Sequence, residues 1–188
     1  MSAGTEIAYD EFKLDWPSAP LEPLPEAGKA MTKIVVSGND VGFHVYGEHF
    51  DITFDMTTAE ITSYQFDNQE LLSGNLKQNF WRAPTLNDEV DGWALPRWKK
   101  AGLQHLTPKI CTWHNDHIAD GSAYINATTE FRDEQGNLQI VVNSLYRIDG
   151  NGNVTLTNRI QPMETVTSLP KIGMQFRTPV DIVFKDLR

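Results

Sequence analysis

From Lys33 onward, apolar and polar residues alternate with a period near two along most of the chain. That is the pattern of strands with one buried face. Ile34-Val35-Val36, Phe43-His44-Val45-Tyr46 and Phe50-Asp51-Ile52-Thr53-Phe54 read as strands, with turns at Gly38-Asn39-Asp40 and Asp55-Met56-Thr57-Thr58. Residues 60–72 continue the series through Ile61, Tyr64, Phe66, Leu71 and Leu72. Further strands are predicted over 106–113, 122–132, 138–148, 154–161, 172–177 and 180–184. Asp133-Glu134-Gln135-Gly136-Asn137 and Asp149-Gly150-Asn151-Gly152-Asn153 have the composition of hairpin turns. One helix is predicted, over 93–103, with Pro96 in its first turn and Gly102 placed as a C-cap. Many short strands and one helix predict an all-β antiparallel sandwich.

The N-terminal part differs. Residues 1–16 read as a strand, with Ile7, Tyr9, Phe12, Leu14 and Trp16 spaced along it. Pro17, Pro20, Pro23 and Pro25 follow within nine residues. Proline fixes φ and lacks an N–H, so 17–31 reads as an extended linker. Residues 32–188 form the main domain.

Composition narrows the function classes. A chain of 188 residues, 40% hydrophobic and 22% charged, suits one domain with an appendage. A net charge of −9 argues against nucleic acid and anionic membranes as partners. Cys111 is the single cysteine, which leaves no internal disulfide and no thiolate cluster. No apolar run is long enough to span a bilayer, and Met1 opens no signal peptide.

The densest candidate chemistry is Asn79-Phe80-Trp81-Arg82-Ala83-Pro84-Thr85-Leu86-Asn87-Asp88. Aromatic rings, a guanidinium and amides are what proteins use to stack on a sugar and grip its hydroxyls. The plainer reading is a strand end entering a proline turn, with Arg82 paired to a nearby acid. Asp88, Glu89 and Asp91 cluster next to it, as a solvated face or an arginine clamp. His114-Asn115-Asp116-His117 reads as a polar turn rather than a metal site. Residues 149–153 lack the downstream Glu of a calcium loop.

The stretch 79–88 resembles "FWRAPTDND", a signature of family 2 glycoside hydrolases of β-galactosidase type, departing at Leu86, where that family has Asp. Three further stretches follow in order. Trp98-Lys99-Lys100-Ala101-Gly102 resembles "W(K)xAG". Leu145-Tyr146-Arg147-Ile148-Asp149-Gly150-Asn151-Gly152 resembles the "Y.I.G.G" hairpin, and Leu169-Pro170-Lys171-Ile172-Gly173 resembles "LPRIG". Residues 3–12 are similar to the last strand of the immunoglobulin-like domain preceding this region.

The resemblance implies a β-supersandwich shared with galactose mutarotase, here its N-terminal part, with the later sugar-facing tryptophan beyond Arg188. It implies that both catalytic glutamates belong to a separate (β/α)8 barrel, so no residue here is catalytic and this chain alone is inactive. It assigns Arg82, Asn87, Asp88, Glu89, Asp91 and Trp93 to a loop at the active-site mouth. No cofactor is held in this chain; Mg and Na are bound outside this domain. Expected partners are a galactoside reached through the longer enzyme, that enzyme's other domains and, at unpaired strand edges, a second copy. The setting is bacterial, cytoplasmic or periplasmic.

Two other functions are weighed. Trp81, Trp93, Trp98 and Trp113 would serve a free-standing carbohydrate-binding module if two formed an exposed planar row. A mutarotase-like epimerase needs His and Glu facing one pocket, and His44, His49, His105, His114 and His117 carry no matching motif.

Overall fold

The computed structural model describes residues 33–39, 42–89, 94–117 and 121–180. The expectations for 1–16 and 17–31, and for a strand over 181–184, lie outside them. The described residues belong to one compact unit spanning 30–183.

Two antiparallel sheets face each other. The first carries β1 (Val35–Gly38), β2 (Gly42–Tyr46), β3 (Phe50–Asp55), β4 (Ile61–Phe66), β6 (Gly74–Asn79) and β11 (Gly173–Arg177) in that order, and β5 (Gln69–Glu70) pairs with β4. The second holds β7 (Thr107–His117), β8 (Ala123–Arg132), β9 (Leu138–Ile148) and β10 (Val154–Pro162), ordered β10-β9-β8-β7. The all-β sandwich read from the alternation is the fold.

Alternation becomes packing directly. Phe50, Ile52 and Phe54 on β3 point inward while Asp51, Thr53 and Asp55 are half-buried. Ala123 and Ile125 on β8, and Tyr146 and Ile148 on β9, close the core from the opposite sheet. Phe54 meets Tyr146 and Trp113 edge-on, at centroid distances of 5.1 and 5.6 Å. Such side chains contribute about 1.5–3 kcal/mol each when fully buried.

A second core lies where the helical segment crosses sheet two. α2 (Leu95–Lys100) places Leu95 and Trp98 against Phe131, Ile140 and Val142, with Phe80 and Val166 completing the cluster. Pro96 sits in its first turn, as the sequence predicts, but the helix is shorter than the expected 93–103: it ends at Lys100 with Ala101 as its C-cap, and Gly102 follows at positive φ. A 3-10 turn, Leu103–His105, follows.

Four further expectations are corrected. A second short helix, α1 (Leu86–Glu89), lies within the signature stretch. Residues 60–72 are not one strand: the backbone reverses at Asp67 and Asn68, both at positive φ, and returns as β5. Residues 74–79 form a strand, β6, that was not expected. Residues 114–117 are not a turn, because β7 runs through them in register with β8. As the outermost strand of its sheet, β7 tolerates the polar residues that suggested a turn.

Candidate functional site

The signature stretch leaves β6 at Asn79 and is immediately tied down. Asn79 Oδ1 accepts from the Trp81 backbone N–H at 2.9 Å, and its amide donates to Gln175 Oε1 on β11 at 2.9 Å. Phe80 enters the second core, edge-on to Phe131 at 5.1 Å.

Arg82 is the hub. Its Nη1 donates to Asp88 Oδ2 at 2.7 Å and its Nη2 to Oδ1 at 2.9 Å, a two-pronged pair. Nε donates to the Pro170 carbonyl at 3.0 Å, and Nη1 also reaches the Ala83 carbonyl at 3.2 Å. The guanidinium lies over Trp98, 5.1 Å from the ring centre. Trp98 Nε1 in turn donates to Ser168 Oγ at 3.0 Å, and its ring meets Trp81 nearly at right angles. Three of the four motif stretches therefore converge on one side chain: the signature itself, Trp98 and Pro170. The fourth, the hairpin at 149–153, lies elsewhere and accepts the Tyr64 hydroxyl at the Gly152 carbonyl.

Asp88 closes the loop on itself. Its Oδ2 also accepts from the Thr85 backbone N–H at 2.7 Å and the Thr85 hydroxyl at 2.9 Å. The Arg82 hydrogen bonds, followed by that of the Thr85 backbone, hold its carboxyl far below the usual carboxylate range. An acid so held stays ionised and is unsuited to protonating a leaving group, which requires a raised pKa. With its donors turned to Asp88, Pro170 and Ala83, Arg82 acts as the clasp of its own loop. The arginine clamp read from the cluster of acids is what the geometry holds.

The remaining loop residues face outward. Asn87 and Glu89 are exposed, their side chains make no hydrogen bond among the described residues, and Leu86 is 81% exposed. Asp91 and Trp93 lie outside the described residues. Trp98 is buried, while Trp81 and Trp113 are half-buried against the two cores. Among the described tryptophans, then, none builds an exposed row. His44 bonds Asp51 and Thr53 within sheet one, and His49 bonds Asp67 across two turns. Among the described residues, no group of three or more His, Cys, Asp or Glu converges to hold a metal. No described helix is long and apolar enough to cross a membrane.

Residues 46–183 match the family described as "Beta galactosidase small chain". The chain belongs to that family. It is 27% identical to a Beta-galactosidase of Priestia megaterium over 177 residues, covering 93% of this chain and 16% of that protein. A Beta-galactosidase of Pseudoalteromonas haloplanktis is 29% identical over 157 residues, 77% of this chain and 15% of its own length. One from Yersinia enterocolitica is 26% identical over 155 residues, 73% and 14% respectively. The chain thus spans about a sixth of the curated relatives it matches.

Sequence reasoning named Arg82 and Asp88 but missed their supports. Ser168 and Pro170 stand 70 and 88 residues from the groups they bond. Only the ordered motif matches hinted that these stretches belong together.

Proposed function

We propose that this chain is a non-catalytic supporting domain of a retaining β-galactosidase that removes terminal non-reducing β-D-galactose, and that residues 82–93 stand at the mouth of its active site. The observation that carries this reading is the Arg82–Asp88 clasp within a β-galactosidase small chain. It uses up the loop's strongest charges internally and leaves Leu86, Asn87 and Glu89 displayed on a fixed base. A loop that must meet another domain benefits from being held in one geometry before it arrives. The bacterial relatives support a bacterial setting.

The test is hydrolysis of a chromogenic β-galactoside. The chain alone is expected to give no turnover. Activity is expected when a β-galactosidase lacking the matching segment is supplied in trans, and Arg82→Ala should reduce that rescue. Turnover by the isolated chain would sink the proposal.

A further inference from the structure

A cleft of about 200 Å³ opens where the two sheets part, between β6, the start of β4 and the 3-10 turn. Glu60, Lys77, Gln78, Trp81, Gln104 and Gln175 are among the residues that line it. Glu60 is 9% exposed, so its carboxylate is nearly buried. Its Oε2 accepts from Asn75 Nδ2 at 2.8 Å, whereas Oε1 has no hydrogen-bond partner among the described residues. Oε1 is not sealed off from solvent, so it stands as an open acceptor on the cleft wall.

The lining sets the chemistry of what would meet that oxygen. Ile61 pairs with Leu76 across β4 and β6, so Glu60 and Lys77 are the next opposed pair, one negative and one positive. No ion pair joins them within 4 Å. With one charge of each sign, the cleft favours neither an anion nor a cation. Gln104, and the amide groups that Gln78 and Gln175 do not already commit to Ser144 and Asn79, offer donors or acceptors, and Trp81 supplies an apolar wall. At about 200 Å³ the space is smaller than the ~300 Å³ at which drug-sized ligand pockets begin, and suits a single ring.

We propose that this cleft is a subsite for one neutral polyhydroxylated ring, such as a hexose, with Glu60 Oε1 accepting its hydroxyl hydrogens. It is separate from the Arg82 clasp and needs no hydrolysis, so it stands or falls independently of the supporting-domain proposal.

The experiment titrates D-galactose, and separately glycerol and guanidinium chloride, into the full isotope-labelled chain while amide and indole resonances are followed. Galactose is expected to move the Trp81 indole and the Gln78 and Gln104 side-chain amides saturably. Glu60→Gln, which keeps the shape and removes the charge, should weaken that binding by about tenfold or more. Lys77→Met, on an exposed position of β6, should weaken it as well and decides the matter if the Glu60 variant does not fold. Glycerol moving the same resonances more weakly would support recognition of the ring through its hydroxyls. The proposal is overturned by absence of saturable shifts at these three side chains. It is equally overturned if the Glu60→Gln variant, or the Lys77→Met variant standing in for it, binds as wild type does, or if guanidinium ion alone is bound, which would mark a site for a cationic side chain.

Discussion

The guanidinium of Arg82 lies 5.1 Å above the ring centre of Trp98, and that ring's N–H is held by Ser168. The stack joins the signature loop to the segment between β10 and β11. Trp98→Ala empties a buried site and removes the platform, so a loss of about 3–5 kcal/mol is expected. Urea unfolding followed by circular dichroism measures it. Ser168→Ala spares the ring and should cost only about 0.5–1.5 kcal/mol. Equal losses in the two variants would contradict a packing role for Trp98.

Arg82→Lys tests the fork rather than the charge. A lysine ammonium cannot engage both carboxylate oxygens of Asp88 and the Pro170 carbonyl in one plane. Residues 83–89 should then be cut faster by a broad-specificity protease, with the sandwich strands still protected. An unchanged cleavage rate would show that the charge alone holds the loop.

Acid should release the same loop. The folded-state pKa of Asp88 is depressed, chiefly by Arg82, so its contribution is fully present above the unfolded value of about 3.9 and fades as pH falls below it. Asp88→Asn should therefore be less stable than wild type at pH 7, with the two unfolding curves approaching each other by pH 2. A stability gap that widens toward low pH would contradict the assignment.

Gly136 and Gly152 occupy the same place in two hairpins of the form Asp-x-x-Gly-Asn, with φ of 84° and 85°. In each, the Asp side chain bonds the backbone N–H groups two and four residues on. Their surroundings differ. A Cβ on Gly136 meets nothing within 4 Å, whereas one on Gly152 would lie 2.9 Å from Phe50 Cγ. Gly136→Ala should cost about 1 kcal/mol from backbone strain alone, and Gly152→Ala distinctly more. Thermal melts of the two variants make the comparison.

Tyr146 is fully buried, and its hydroxyl donates to the Ala59 carbonyl at 3.0 Å. Burial, with the Glu60 charge adding to it, pushes its pKa up to about 12. Tyr146→Phe should cost about 1–3 kcal/mol by leaving that carbonyl unmet. Spectrophotometric titration of wild type should show Tyr146 and, also raised by burial, Tyr64 ionising after the exposed tyrosines, and Tyr146→Phe should remove one late component.

Strands that bury one face against the opposite sheet were legible, because β3 and β8 write their packing as strict alternation and β9 follows it from Ile140 onward. β6 was not: Gly74-Asn75-Leu76-Lys77-Gln78-Asn79 offers one large apolar residue. Its place comes from partners distant in sequence, with Gln78 donating to Ser144 and Asn79 to Gln175. The Asp67-Asn68 reversal was hidden by the run of apolar residues on both sides of it. In the site, the Arg82–Asp88 pair spans only six residues and could be read as an arginine clamp. Its floor and flank, Trp98 and Pro170, depend on how the sandwich folds.

The strand order also sets a sequence of events in time. β7 to β10 each pair with their neighbour in the chain, through connections that include two self-bonded hairpins, so this sheet can zip from local contacts. Joining β11 to β6 instead requires closing a loop of nearly a hundred residues, as the 96-residue separation of Asn79 and Gln175 shows. The first sheet is therefore completed late. Pro170 arrives on the segment leading to β11, so the last grip on Arg82 is made only when that strand docks. The same order makes the signature loop the last to set, and a chain paused before that step would hold every strand but β11 in place and leave Arg82 without its Pro170 partner.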